Sequence, residues 1–203
     1  MDIHIVPTAP LQANCYLLRP ETSRIGVVID PGGDAGILLR EMEWMDLHPA
    51  AILLTHGHFD HPGGVEGLLA RFPDLPVYLH PGDVSQTPSR YAWTPCSSWT
   101  PISDNQELTF GDITLSVIHT PGHSPGSVVF RCGGALFTGD TLFRGSIGRT
   151  DLAGDSRAPL QMAASLARLR DLEGDFRVYP GHDRSTTLDC ERQTNPFLRG
   201  VDL

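Results

Sequence analysis

The 203-residue sequence predicts an α/β fold in which helices pack on sheets. Residues 1 to about 80 alternate short apolar runs of strand length with stretches of helical periodicity. The part after residue 105 resumes the same strand-then-helix content. With 21 Gly and 17 Pro the composition is globular and loop-rich. The chain reads as one domain, 1–203, made of two fused halves, about 1–83 and 105–203, joined by a loop.

The elements follow in order. "CYLLRP" and "IGVVIDPGG" form paired strands about a turn at Glu21 to Ser23. "DAGILLREMEWMDLH" is a helix with Asp34 as N-cap and Ile37, Leu38, Met42 and Met45 at helical spacing. "AAILLTH" is a buried-strand run, "GGVEGLLARFP" a helix closed by Pro73, and "PVYLHPGD" another strand. Residues 84–104, rich in Ser, Thr, Pro and aromatics, read as a long surface loop flanking a pocket. "ELTFGDITLSVIHTPGH" holds strands about a Gly-Asp turn, and "SVVFRCGGALFTGDTLF" two strands about Gly133-Gly134. "PLQMAASLARLRDL" is a helix, "DFRVYPGHD" a strand, and "TLDCERQTNPFL" a partly helical tail.

Composition narrows the function classes. A formal net charge of -9 without a basic run argues against holding nucleic acid by phosphate neutralisation. No stretch approaches the ~18 apolar residues of a transmembrane helix, and the N-terminus has no signal-peptide pattern. Cys15, Cys96, Cys132 and Cys190 form no C-x-x-C pair and read as reduced, mostly buried thiols of a cytoplasmic protein.

The chemistry concentrates in "LLTHGHFDHPGG". In an extended segment His56 and His58 point to one side and share one cation, while Asp60 and His61 face a second after the turn. Four such groups packed together repel and desolvate poorly without a cation. Three further donors follow apolar strands beside glycine: His123, Asp140 and His182. They complete two sets, His56/His58/His123 and Asp60/His61/His182, with Asp140 as the bridge and an open position for water. Imidazole and carboxylate suit two divalent ions, zinc first, with iron or manganese as alternatives. Asp30 and Thr55, beside the cluster, are candidates for orienting the ligands. His4, His48, His80 and His119 read as ordinary surface histidines.

"THGHFDHPGG", "TPGHSPGS", "FTGDTLF" and "YPGHD" together resemble the metallo-β-lactamase fold superfamily. "GDTLFRGSIGRTDL" and "GHDRSTTLDCERQTNPFL" resemble its short, single-domain glyoxalase II-like (hydroxyacylglutathione hydrolase-like) members. The resemblance implies a four-layer αβ/βα sandwich with the metals at one edge between the sheets. It carries the ligand roles to His56, His58, Asp60, His61, His123, Asp140 and His182, each filled by the expected residue type. It implies a thioesterase acting on S-acyl-thiols such as S-lactoylglutathione, through a metal-activated hydroxide positioned with Asp60 and Asp140. Full-length members add a C-terminal helical domain with cationic contacts to glutathione. Here Arg144, Ser146 and Arg149 stand near the family's substrate-binding lysine and tyrosine. Arg144 and Arg149 are therefore the expected anchors of a small anionic thioester, and for Arg149 a structural salt bridge to Asp151 or another loop carboxylate is the equal alternative. The rival within the superfamily is a persulfide dioxygenase with one iron on His56, His123 and Asp140. A lactonase shares the same metals, and a non-enzymatic metal-binding module would not need all seven ligands. Oligomeric state is not legible.

Overall fold

The computed structural model describes residues 1–84, 94, 98–152 and 154–200. Two six-stranded sheets stack face to face, with helices on both outer faces. The first sheet holds β1 (Asp2–Thr8), β2 (Ala13–Arg19), β3 (Ile25–Ile29), β4 (His48–Leu53), β5 (Val77–Leu79) and β6 (Thr100–Pro101), in that order. Helices α1 (Ala35–Trp44) and α2 (Val65–Arg71) connect β3 to β4 and β4 to β5. The second sheet uses β7 (Glu107–Phe110), β8 (Ile113–His119), β9 (Val128–Cys132) and β10 (Ala135–Gly139). A small hairpin of β11 (Leu142–Phe143) and β12 (Ser146–Ile147) follows, then α3 (Ala158–Arg170), β13 (Arg177–Pro180), β14 (Thr186–Thr187), α4 (Leu188–Thr194) and α5 (Pro196–Arg199). Its spatial order is β14-β13-β10-β9-β8-β7.

Strict side-chain alternation builds the layers. Tyr16, Leu18, Val27, Ile29 and Leu53 point between the sheets and meet Val117, Phe130 and Phe137. Their neighbours Cys15, Leu17, Val28 and Ile52 point outward onto Leu38, Met42 and Leu68 of α1 and α2. Ile118, Val129, Leu136 and Val178 do the same against Met162 and Leu166 of α3. One core between two sheets and one under each helix layer make the expected αβ/βα sandwich. Both faces of the central strands are buried, which is why those strands read as continuous apolar runs.

Three sequence expectations change. The N-terminal strand β1 was not expected; it pairs antiparallel with β2 from Asp2↔Arg19 to Thr8↔Ala13. Its exposed Ile5 and its Pro7 mask the strand pattern, and proline is tolerated there because β1 is an edge strand. Helix α1 stops at Trp44, short of His48, because Asp46 adopts φ 54°. The Leu47 N–H then bonds Met42 O and the Asp46 N–H bonds Glu43 O, a Schellman closure with aspartate in glycine's usual place. Within the expected 84–104 loop, Thr100–Pro101 is the edge strand β6; residues 85–93 and 95–97, Cys96 included, lie outside the described residues. Of the other cysteines, Cys15 and Cys132 are buried, whereas Cys190 is exposed on α4. Among the described residues no helix is long and apolar enough to cross a membrane.

The topology sets the site. Strands β3, β4 and β5 run parallel, so their C-terminal ends lie on one edge. In the second sheet β8, β10 and β13 share one direction, through the antiparallel β8–β9 and β9–β10 pairs and the parallel β10–β13 pair. Loops leaving such ends are where open α/β sheets place ligands. A bond from Val128 N–H to Thr55 O, 2.8 Å, ties the second sheet to the end of β4.

Candidate metal centre

All seven sequence-predicted donors converge. His56, His58, Asp60 and His61 leave β4, His123 follows β8, Asp140 follows β10, and His182 follows β13. His56, His58 and His123 form one group whose donor atoms lie within 4.8 Å of one another, and Asp60, His61 and His182 form a second. Asp140 stands between them. Its Oδ1 is 3.4 Å from His61 Nε2, and its Oδ2 is 3.4 Å from His123 Nε2 and 3.7 Å from His182 Nε2. His182 Nε2 is 3.2 Å from Asp60 Oδ2.

The outer nitrogens of three rings are spoken for, and this turns the inner ones toward one another. His61 Nδ1 donates to Asp30 Oδ2 at 2.9 Å. The Thr55 hydroxyl donates to the same oxygen at 2.6 Å and lies 3.1 Å from His56 Nδ1, from which it accepts. His123 Nδ1 donates to Arg149 O at 2.8 Å. Asp30 and Thr55 thus orient one ring of each set, as their position in the sequence suggested. Asp30 does so from φ 51°, a conformation rare outside glycine, asparagine and aspartate, and it is fixed there by the Thr55 N–H on Oδ1 at 2.8 Å.

The inner atoms carry the test of metal fit. His56 Nε2, His61 Nε2 and Asp140 Oδ1 are buried with no hydrogen-bond partner. Buried polar atoms are almost always paired, so three orphans in one cluster mark a place built for another binding group. His58 Nδ1 and His123 Nε2 lie 2.7 Å apart, two ring nitrogens converging on one point. The donor set, imidazole with carboxylate, is that of a divalent transition metal. The residues fit metal ions.

Electrostatics divide the two sets. Burial, reinforced by the neighbouring His61, holds His56 well below the usual imidazole range. Burial and the adjacent His123 lower His58 to about 4. In the second set burial pushes His61 down, but the carboxylates of Asp30 and Asp140 override it and raise it. The hydrogen bond to Asp60 raises His182. Burial pushes Asp60 and Asp140 up, yet their histidine partners prevail and keep both below the ordinary carboxylate value.

Two positioning residues escaped the sequence reading. Asp83, 7% exposed at the end of the short turn after β5, accepts from Gly57 N–H at 2.9 Å and Ser124 Oγ at 2.6 Å through Oδ2. Its Oδ1 accepts from Gly126 N–H at 2.5 Å. It therefore clamps the His56/His58 loop to the His123 loop. Asn14 on β2 donates from Nδ2 to Pro180 O at 3.0 Å and Asp183 O at 2.9 Å, bracketing His182. The only signal for Asp83 was another Gly-Asp pair at a strand end, the pattern shared by Asp140.

A cavity of about 390 Å³ opens over the donors, and Arg149 is among its lining residues. Arg144 is not brought there: it is exposed on the β11–β12 turn. Glu191 accepts from Gly145 N–H at 2.7 Å and Asn195 donates to Ser146 O at 3.1 Å, so the C-terminal helices hold that turn. Arg149 closes on Asp151 through two bonds of 2.7 Å.

A family model described as "Metallo-beta-lactamase superfamily" matches residues 8–182. The chain belongs to the metallo-β-lactamase superfamily. Among solved superfamily structures it is similar to a protein crystallised in a di-iron-bound form, with 42% identity, TM-score 0.84, and 96% of this chain and 99% of that one covered. It is also similar to the BLEG-1 B3 metallo-β-lactamase, with 38% identity, TM-score 0.86, and 98% and 100% covered. The ETHE1 protein of Myxococcus xanthus matches at 26% identity and TM-score 0.83, with 100% and 92% covered. A hydroxyacylglutathione hydrolase of Haemophilus influenzae is 33% identical over 98% of both chains. Family membership and the donor cluster together make this a metallo-hydrolase-superfamily protein with a site for divalent metal.

Proposed function

We propose that the chain is a dinuclear-metal thioesterase of the glyoxalase II type. The observation that carries this reading is two adjacent three-donor groups linked by a third, His56/His61/Asp140, with orphaned ring nitrogens facing inward. The seven donors would hold two divalent ions, His56/His58/His123 on one, Asp60/His61/His182 on the other, and Asp140 on both. When bound, such ions polarise a carbonyl and make water nucleophilic near neutral pH.

The chain's own residues supply the rest. Asp30, Thr55 and the Arg149 carbonyl fix the tautomers of His61, His56 and His123, so these rings present lone pairs inward without rearrangement. Asp83 holds the two loops of the first set at fixed separation. Asp60 and Asp140 stay ionised and serve as acceptors, so neither offers a proton to a leaving group. A thiolate departs without a proton, whereas an amine does not, and this favours a thioester over an amide. The Haemophilus relative's name supports the same substrate class.

A single-iron persulfide dioxygenase on His56, His123 and Asp140 is the rival, supported by the 3.4 Å approach of His123 Nε2 to Asp140 Oδ2. It leaves Asp60, His61 and His182 without a role. Hydrolysis of a thioester panel, S-lactoylglutathione together with simple S-acyl thioesters, by the zinc-loaded protein, followed by thiol release, tests the proposal. Thiol release that disappears on chelation and returns with metal is the expected result. Oxygen uptake with a persulfide by the iron-loaded protein, without thioester hydrolysis, would replace the hydrolase with the dioxygenase.

A further inference from the structure

The lining of the cavity carries substrate information that the donor cluster does not. Leu11 reaches it from the β1–β2 turn, Phe59 from the loop after β4, Phe143 from β11, and Leu152 from the segment after β12. Two of these are left in water: Leu11 is 54% exposed and Phe59 42%. Single exposed apolar residues need no explanation, but these two come from separate loops and meet at one opening. Phe143 turns its ring edge to His182 at 6.1 Å, so the apolar wall runs down to the donors.

The charge on the walls is balanced. Among the described lining residues outside the donor set, Arg149 is the one cation, and its guanidinium is held by both Asp151 oxygens. An anionic substrate group approaching Arg149 meets the Asp151 carboxylate beside it, whose two oxygens already neutralise the guanidinium through Nε and Nη2. Positive charge brought by bound metal would sit at the floor, facing a carbonyl, and not along the walls. Sites of this kind, a few polar groups at the floor and apolar walls above, bury the apolar body of a ligand and orient its reactive end.

Resting on the thioesterase reading above, we infer that the preferred substrate is an uncharged thioester with an apolar acyl chain, seated along Leu11, Phe59, Phe143 and Leu152. S-lactoylglutathione, polar on its acyl side and anionic on its thiol side, is then a poor member of the substrate class.

The test uses the zinc-loaded full chain and neutral S-acyl-N-acetylcysteamine thioesters from acetyl to octanoyl, with S-lactoylglutathione alongside. The kcat/KM should rise along the series, by at least about tenfold overall, since a single methylene in an apolar pocket is worth about 10–200-fold and tenfold is the low end of that range. Leu11→Ser and Phe59→Ser should each lower the octanoyl-to-acetyl ratio of kcat/KM several-fold. Leu11 is half in water on a surface turn, so its replacement leaves the core intact, and circular dichroism checks both variants. A flat or falling series, a clear preference for S-lactoylglutathione, or a ratio unmoved in both folded variants overturns the inference and leaves the thioesterase standing. No turnover of any thioester removes the thioesterase reading and this inference with it.

Discussion

Replacing Asp83 tests whether the metal geometry is pre-built by the fold. In Asp83→Ala the N–H groups of Gly57 and Gly126 lose their acceptor, while the Ser124 hydroxyl still has Ser127 Oγ at 2.6 Å. Two orphaned buried amides cost about 1–3 kcal/mol each, so about 2–6 kcal/mol is removed from the folded, site-formed state. Gly57 sits between His56 and His58, and Ser124 follows His123, so the loss falls on the first set. Partners behind metal ligands typically change affinity by about 10–100-fold, and that is the expected weakening of one of two zinc ions. Asp83→Asn keeps one acceptor oxygen and should fall between wild type and alanine. Competition with a chromophoric chelator reads the two affinities, and thermal unfolding of the metal-free proteins reads stability. Wild-type affinity for both ions in a folded Asp83→Ala variant would refute the clamp.

Two further outcomes follow from the site. His61 and His182 are held above the usual imidazole value and His56 and His58 below it, His58 at about 4. Protons must leave a raised group before metal binds, so lowering pH from neutral should first weaken the ion on Asp60/His61/His182, while His58 stays neutral until about pH 4 and His56, held well below the imidazole range by burial, also stays neutral as the first ion leaves; metal release measured against pH should be biphasic, and one step would show that the sets are not distinct. In Gly181→Ala the new Cβ would overlap Asp140 Oδ1 and come within 2.8 Å of His61 Cε1, so both ions should weaken together, unlike Asp83→Ala; unchanged metal content would show that the His182 loop yields freely.

What could be read from the sequence was whatever is local. His56, His58, Asp60 and His61 fall within six positions directly after β4, so the loop leaving one strand end keeps them together. Asp140, His123 and His182 were legible because each follows an apolar run beside glycine. Asp83 was not, because its partners lie 26, 41 and 43 residues away and only the packing of two sheets brings them near. Arg144 shows the converse error. Four residues from Asp140 seemed close enough, but the turn at Gly145, φ 69°, folds the β11–β12 hairpin and leaves the arginine in solvent. The end of α1 failed for a related reason: the left-handed closing residue is Asp46, which carries no glycine signal.

Elemental analysis of the zinc-saturated chain, wild type and Asp140→Ala side by side, tests directly whether two ions share Asp140. Two zinc ions per wild-type chain, with at least one lost in Asp140→Ala, is the predicted result. One ion per wild-type chain at saturation, or two retained in Asp140→Ala, would contradict it.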